Sequence, residues 1–370
     1  MIVGNVGMNI ADIIIELLLQ RIRIGGFKPM ETQTDNIIKE LVDNAKAAQA
    51  VFEKMSQEKV DEAVKVIAKV IFDNAVPLAE YAVNETGMGN LADKIAKHTN
   101  KPKLIYYHLK GKKSRGILER DDATGITTVA KPLGIVGAIT PTTNPVVTTM
   151  SNSMFALKCG NAIIIAPHPR AKGCCSKAVE LMRAELKKIG CPEDLIQVIN
   201  EPTNEATNAL MKAVDVVIAT GGMGMVKAVY SSGKPALGVG AGNVQTIIDR
   251  DIDFGEAIPK IVASRAFDNG ILCTADQSVI CPSEKVDEIM DLFAANNAYV
   301  VRDKEVVEKF RTTLFEDGIM SKKVVGQSAQ KIGAMAGVEV PEDIKIIVLE
   351  ASGYGMNDIL AKEKMCPCIS

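Results

Sequence analysis

The chain of 370 residues contains no tryptophan, and aromatic residues make up only 4% of it, so it lacks the rings on which bases stack. Neither charge is in excess. Lys+Arg number 43 against 45 Asp+Glu, a net charge of −2, which removes the basic field that drives nucleic-acid binding. Only three histidines occur (His98, His108, His168), and the eight cysteines (159, 174, 175, 191, 273, 281, 366, 368) form no Cys-x-x-Cys pair. That spacing excludes a structural zinc site, and no metal is expected. Nothing resembles a cleavable signal peptide, so reduced thiols in a cytoplasmic protein are expected. The longest apolar stretch, from Met8 to Ile24, is broken by Asp12, Glu16, Arg21 and Arg23 and cannot span a bilayer.

That stretch has a helical stripe instead, Ile10, Ile14, Leu17 and Leu18, followed by the Gly25-Gly26 tether that runs to Pro29. Residues 1–29 therefore read as an amphipathic leader and tether. The leader either packs on the main body or docks on another protein's surface. From about 34 to 98 the pattern is helical, with one stripe at Val42, Ala45, Ala48, Val51 and Phe52. A second lies at Val60, Ala63, Val64, Ile67 and Val70, and a third helix stops at the glycines of Asn84–Gly89.

Beyond residue 126 strands and helices alternate. Strands are expected at 126–130, 134–139, 161–165, 195–199, 214–219 and 244–248, with helices at 148–157, 171–189, 204–213 and 224–231 between them. Continuous apolar strands in βαβ units predict a parallel sheet covered on both faces, of the doubly wound nucleotide-binding type. A second α/β unit is expected from Asp253, with strands at 277–281, 298–301 and 344–349 and helices at 255–264, 284–294 and 304–313. The expected domains are thus 30–252, which includes the N-terminal helices, and 253–370.

Four segments offer chemistry. Ala219-Thr-Gly-Gly-Met-Gly224 follows a strand and opens a helix, where free N–H groups suit a phosphate, although a plain tight turn explains it too. Gly238-Val-Gly-Ala-Gly-Asn243 implies close backbone approach, to a ligand or to another part of the chain. In Phe267-Asp-Asn-Gly-Ile-Leu-Cys273 a thiol stands at a loop junction where dipoles can activate it, but periodicity does not rank Cys273 above Cys159 or Cys281. Thr140-Pro-Thr-Thr-Asn144-Pro145 is a rigid extended loop presenting an amide.

Taken in order, these strings, together with Ala166-Pro-His-Pro-Arg-Ala-Lys172 and Tyr230-Ser-Ser-Gly-Lys-Pro-Ala236, resemble the aldehyde dehydrogenase superfamily. More narrowly they resemble its CoA-acylating branch, which includes the aldehyde dehydrogenase half of bifunctional aldehyde–alcohol dehydrogenases. The resemblance runs from about residue 35 to the end. It implies a Rossmann-type parallel-sheet cofactor domain beside a second α/β catalytic domain.

It also implies roles. Cys273 would be the nucleophile, giving a thiohemiacetal and, after hydride transfer to NAD, a thioacyl enzyme that coenzyme A resolves. The reverse direction would reduce an acyl-CoA to an aldehyde. The Asn144 amide and the Cys273 N–H would form the oxyanion hole; one such donor is worth roughly 3–4 kcal/mol of transition-state stabilisation. The adenine ribose would lie near Pro167, His168, Pro169 and Arg170, the pyrophosphate over Gly221, Gly222 and Met223, and the nicotinamide ribose against Glu363. Hydrolytic relatives have a lysine where Ala166 stands, so the ribose contact is expected to differ.

Hydrolytic relatives carry a glutamate base at the position that aligns with Gly238. Without it, water attack lacks its proton acceptor, so acyl transfer to CoA is expected over hydrolysis, with the glycines leaving room for the pantetheine thiol. A hydrolytic aldehyde dehydrogenase is the alternative. The leader resembles the docking helices of microcompartment aldehyde dehydrogenases, which would place the enzyme within a bacterial microcompartment through a shell protein. Family members are homo-oligomers, and their chains continue well past the Glu363 motif. The resemblance therefore implies a C-terminal truncation, loss of the apolar strand after Pro367, and weak or no activity of this chain alone. An inactive cofactor-binding or shell-docking subunit is the further alternative.

Overall fold

The computed structural model describes residues 32–370. The expected leader helix, its tether and its docking role fall outside the described residues. Four helices come first: α1 (Gln33–Phe52), α2 (Gln57–Asp73), α3 (Ala75–Thr86) and α4 (Leu91–Leu109). Thr32 starts α1 with a capping box, its hydroxyl accepting the Asp35 N–H while the Asp35 carboxylate accepts the Thr32 N–H. Gly87 ends α3 in the left-handed region at φ 66°, as the glycines of that segment predict. The second expected stripe is wholly buried, but in the first Val51 is 52% exposed. Ala45, Ala48 and Phe52 already follow the i+3, i+4 line, and Val51 sits about 100° round from Phe52.

The segment 126–130 does form a strand, but not within the main sheet. β1 (Gly116–Asp121) and β2 (Ile126–Ala130) make a separate antiparallel ribbon that leaves Ile126 and Val129 exposed. The main sheet begins with β3 (Ile135–Thr140). It continues through α5 (Pro145–Lys158), β4 (Ala162–Pro167), α6 (Lys172–Lys188), β5 (Ile196–Val198), α7 (Asn204–Ala213), β6 (Val216–Thr220), α8 (Met223–Tyr230) and β7 (Ala236–Val239). All five strands are parallel, in the order β5-β4-β3-β6-β7. Every residue of β3 and β4 is buried, which is why these strands read as unbroken apolar runs. Helices α1 and α7 pack on one another and cover one face. On the other face α5 and α6 carry α2, α3 and α4 as an outer layer. That second layer brings α4 against α5, next to the end of β3.

The strand expected to close the first unit, β8 (Val244–Ile247), instead pairs in parallel with β9 (Asp276–Ile280) of the second. That unit also has α9 (Phe254–Ala266), α10 (Val286–Ala295), β10 (Ala298–Val301) and α11 (Lys304–Leu314). After these come a small hairpin of β11 (Phe315–Glu316) and β12 (Ile319–Met320), then α12 (Ala329–Met335), β13 (Ile346–Leu349) and β14 (Cys368–Ile369). The strand after Pro367, expected to be lost, is present. β14 is buried, pairs in parallel with β13, and leads into Ser370, whose carbonyl accepts the Val279 N–H at 2.7 Å. That bond joins β8-β9 to β14-β13-β10. Apolar clusters lie on both faces of the resulting surface. Two facts raise Cys368 and Ile369 from polar-looking ends to strand: their partners were already parallel, and both side chains are out of water.

Among the described residues no helix is long and apolar enough to cross a membrane, and no group of three or more His, Cys, Asp or Glu is placed to hold a metal ion.

His98, on α4, is 1% exposed, and its Nδ1 lies 3.3 Å from the Ala75 carbonyl. Burial pushes its pKa down from 6.5 to about 4. The unfolded chain therefore takes up this proton first, and stability is complete above pH 6.5 and is lost as the pH falls toward 4. Urea unfolding at pH 7 and pH 4.5 should show the wild type losing about 2–3 kcal/mol more than His98→Gln.

Candidate active site

The strand order reverses between β3 and β6, and the C-terminal ends of the strands at such a reversal are where open α/β sheets form their ligand crevice. Asn144 follows β3, Gly221 to Met223 follow β6, and Pro167 to Arg170 follow the neighbouring β4. Gly222 is the N-cap of α8, and built side chains at Gly222 and Gly224 would meet nothing within 4 Å. Space is thus open beside the start of this helix, which fits a pyrophosphate. His168 and Arg170 are exposed, and His168 Nδ1 accepts the Arg170 N–H at 3.1 Å. Partial burial, with Arg170 and Lys322 nearby, lowers the His168 pKa.

The glycines of 238–242 serve the chain's own packing. Gly238 lies in β7 under Tyr230, whose hydroxyl accepts the Gly238 N–H at 3.1 Å. A Cβ at Gly238 would stand 2.9 Å from the Tyr230 ring and 3.1 Å from Val226, and one at Gly240 would stand 2.9 Å from Met223 Sδ. The space beside Gly238 is occupied by Tyr230 and Val226, and a side chain there would have to displace the Tyr230 ring. Gly242 is different: a Cβ there would strike the Cys273 carbonyl. Its N–H donates to Glu363 Oε1 at 3.0 Å, and Asn243 Nδ2 donates to the Ala361 carbonyl at 2.7 Å. Gly242, Cys273 and Glu363 are brought together in this way. Burial raises the Glu363 pKa, opposed by the Gly242 N–H and by Arg265.

Burial separates the cysteines that periodicity could not. Five of the eight are buried, Cys281 is half-buried with its thiol pushed up by burial, and only Cys159 and Cys273 are exposed. Cys159 is the C-cap residue of α5, just before β4, and so lies at the N-terminal end of the strands, away from the C-terminal ends where the other candidate residues gather. Cys273 stands on the loop against Gly242.

The loop that carries Cys273 is held in an uncommon conformation. Asp268, Asn269 and Gly270 follow one another at φ 50°, 52° and 65°, all left-handed. Two non-glycine residues there cost on the order of 1–2 kcal/mol each. The surroundings offset this. The Asp268 N–H donates to Asp93 Oδ2 at 2.7 Å, and the Asp268 carboxylate accepts from the Asn90 N–H at 3.0 Å and from Lys94 Nζ at 3.0 Å. Lys97 Nζ pairs with the same carboxylate oxygen and also donates to Asn144 Oδ1. Asn269 Nδ2 donates to the Gly326 carbonyl at 3.0 Å, and the fully buried Arg265 donates to the carbonyls of Gly270, Asp276, Lys364 and Cys366. A Cβ at Gly270 would strike the Cys366 carbonyl, so only glycine fits.

Lys94, Lys97, Arg265 and Asp268 are functional neighbours that periodicity missed. On a helix, lysines at 94 and 97 read as solvent-facing, and only the three-residue string Asp268-Asn269-Gly270, each tolerant of positive φ, carried a signal.

The sequence matches the Aldehyde dehydrogenase family over residues 27–309. It is 52% identical over 332 residues to the succinate-semialdehyde dehydrogenase (acetylating) of Clostridium kluyveri, covering 90% of this chain and 73% of that one. It is 40% identical to the bifunctional aldehyde-alcohol dehydrogenase of Escherichia coli over 89% of this chain, which spans only 37% of that protein. Among solved structures, an acetylating aldehyde dehydrogenase from Geobacillus thermoglucosidasius superimposes with a TM-score of 0.88 at 36% identity, over 93% of this chain and 76% of that one. A Rhodopseudomonas palustris propionaldehyde dehydrogenase, solved with bound CoA and an acylated cysteine, gives a TM-score of 0.79 at 31% identity, over 90% and 76%. With the crevice at the strand switch and the exposed thiol beside Gly242, these matches make the chain a member of the aldehyde dehydrogenase family.

Proposed function

We propose that the chain carries the acyl-transfer and cofactor-binding parts of a CoA-acylating aldehyde dehydrogenase, with Cys273 as nucleophile. The observation that carries this reading is the exposed Cys273, set against the Gly242 backbone, with glycine rather than a carboxylate at position 238. In the acyl-CoA direction the Cys273 thiolate forms a bond to the acyl carbon, and the carbon–sulfur bond to CoA breaks, releasing CoA as a thiolate. Negative charge that develops on the carbonyl oxygen meets the Asn144 amide and the Cys273 N–H. Gly238, closed by Tyr230, leaves no base there to activate water, which supports CoA over water as acyl acceptor. Gly221, Gly222 and Met223 would hold the pyrophosphate of NAD, with Pro167 to Arg170 on its adenine side and Glu363 at the nicotinamide ribose. When bound, that cofactor supplies hydride acceptance or donation.

The C. kluyveri relative is named for succinate semialdehyde, an aldehyde with a carboxylate. A groove of about 420 Å³ between α4 and α5 supports a substrate of that kind here. Its walls are apolar (Leu104, Ile105, Val147, Phe155), its charged side chain is Lys101, with His108 beside it, and no carboxylate lines it. Lys101 lies one helical turn beyond Lys97, on the same stripe of α4.

Incubation with an acyl-CoA followed by intact-mass and peptide analysis should place one acyl group on Cys273, with none in Cys273→Ala; an adduct that persists on Cys159 in that variant contradicts the assignment. In a coupled assay, release of the acyl group should require CoA, whereas release in water alone favours hydrolysis. Lys101→Ala should raise the half-saturating concentration for succinyl-CoA by about two- to fivefold while leaving acetyl-CoA unchanged, the scale of an exposed ion pair. An equal change for both thioesters would remove Lys101 from substrate selection.

A further inference from the structure

We propose that Lys97 is a positioning residue that fixes which end of the Asn144 amide faces the reacting carbonyl, and that through Asp268 it keeps this amide in register with the Cys273 loop. The proposal rests on Asn144 serving as an oxyanion donor. The oxygen and nitrogen ends of an asparagine amide have nearly the same shape, so packing alone does not select one orientation. An ammonium only donates. With Lys97 Nζ bonded to it, Oδ1 is the end turned toward α4, and Nδ2 is left for another acceptor.

A second observation points the same way. Asn144 is the N-cap of α5, a position where asparagine ordinarily accepts from the helix's first N–H groups, yet its side chain makes no such bond. Pro145 at the first helical position has already removed one of those donors. The amide is diverted from capping to Lys97, which is 3% exposed.

Lys97 also bonds to Asp268, five residues before Cys273, and Lys94 spans the same two segments by donating to Asp268 and to the Thr143 carbonyl at 3.2 Å. Lys94 and Lys97 share the Asp268 carboxylate, and the Asp93 carboxylate stands behind it on the Asp268 N–H, so the Lys97 ammonium is held in place beside the amide, out of water. Nδ2 aimed at an ammonium would be repelled, so the reversed amide is the high-energy form as long as Lys97 is charged.

The test uses the acylation half-reaction, which needs only the protein and an acyl-CoA, read as the rate of adduct appearance on Cys273. Lys97→Met should slow this rate at saturating acyl-CoA by about ten- to a hundredfold, less than the full loss of a donor, with the half-saturating concentration changed less than twofold. Alkylation of Cys273 by iodoacetamide, which develops no oxyanion, should stay within about threefold of wild type and shows that the loop is intact. In an Asn144→Ala background the same lysine substitution should cost less than about twofold, because there is no amide left to orient. Equal losses in both backgrounds, or parallel slowing of acylation and alkylation, overturn the proposal in favour of a general structural role. An Asn144→Ala protein that acylates at the wild-type rate overturns the oxyanion assignment, and this proposal with it. Should the methionine variant not accumulate as folded protein, Lys97→Gln, similar in length and uncharged, enters the same cycle under the same criteria.

Discussion

The left-handed run at Asp268, Asn269 and Gly270 is the constraint around which the site is organised, because no isolated chain would hold it. One helix from the first unit and one arginine from the second hold it between them. The Asn90 and Asp93 end of α4, with Lys94 and Lys97 one turn further, engages the Asp268 backbone and carboxylate. Arg265 gathers the carbonyls of Gly270, Asp276, Lys364 and Cys366. A buried guanidinium bonded to several carbonyls is stable where it is and costly to remove, since each carbonyl would be left without a partner. The turn therefore ties Cys273 to both units at once.

The same ties explain why the helices before the main sheet matter to chemistry. In a doubly wound sheet the crevice at the strand switch is built by loops, and loops are mobile unless held. Here α4 is packed as a second layer over α5, which lets its lysines reach Asn144 after β3 and Asp268 after α9. The buried charges are paired and hydrogen-bonded, the condition under which they persist out of water. Glu363 and Gly242 close the opposite side of Cys273, with the 240–243 segment acting as the link between the two sheets.

Much of the fold was legible because apolar periodicity is a local signal. The helix at 204–213 and the strand at 298–301 fall where the pattern puts them, and β3 and β4 read as buried because both faces are covered. The misreadings share a cause in pairing. Residues 126–130 have strand character but pair with 116–121 in an exposed ribbon, and Cys368 and Ile369 become strand only because β13 and the end of β9 leave a slot for them. Strand partners are set by the whole sheet and leave no mark on a short segment.

The site divides along the same line. Glycine spacing and the Asp-Asn-Gly string are written in residue types, since only certain side chains tolerate close approach or positive φ; those features the sequence determined by itself, whereas α5 starts at Pro145, inside what read as an extended loop ahead of a helix at 148. Burial decided the rest. It left Cys273 and Cys159 as the exposed thiols, brought Lys94 and Lys97 inside as braces between Asn144 and Asp268, and set Tyr230 beside Gly238. Solvent exclusion depends on which distant elements meet, and that information exists only once the chain has folded.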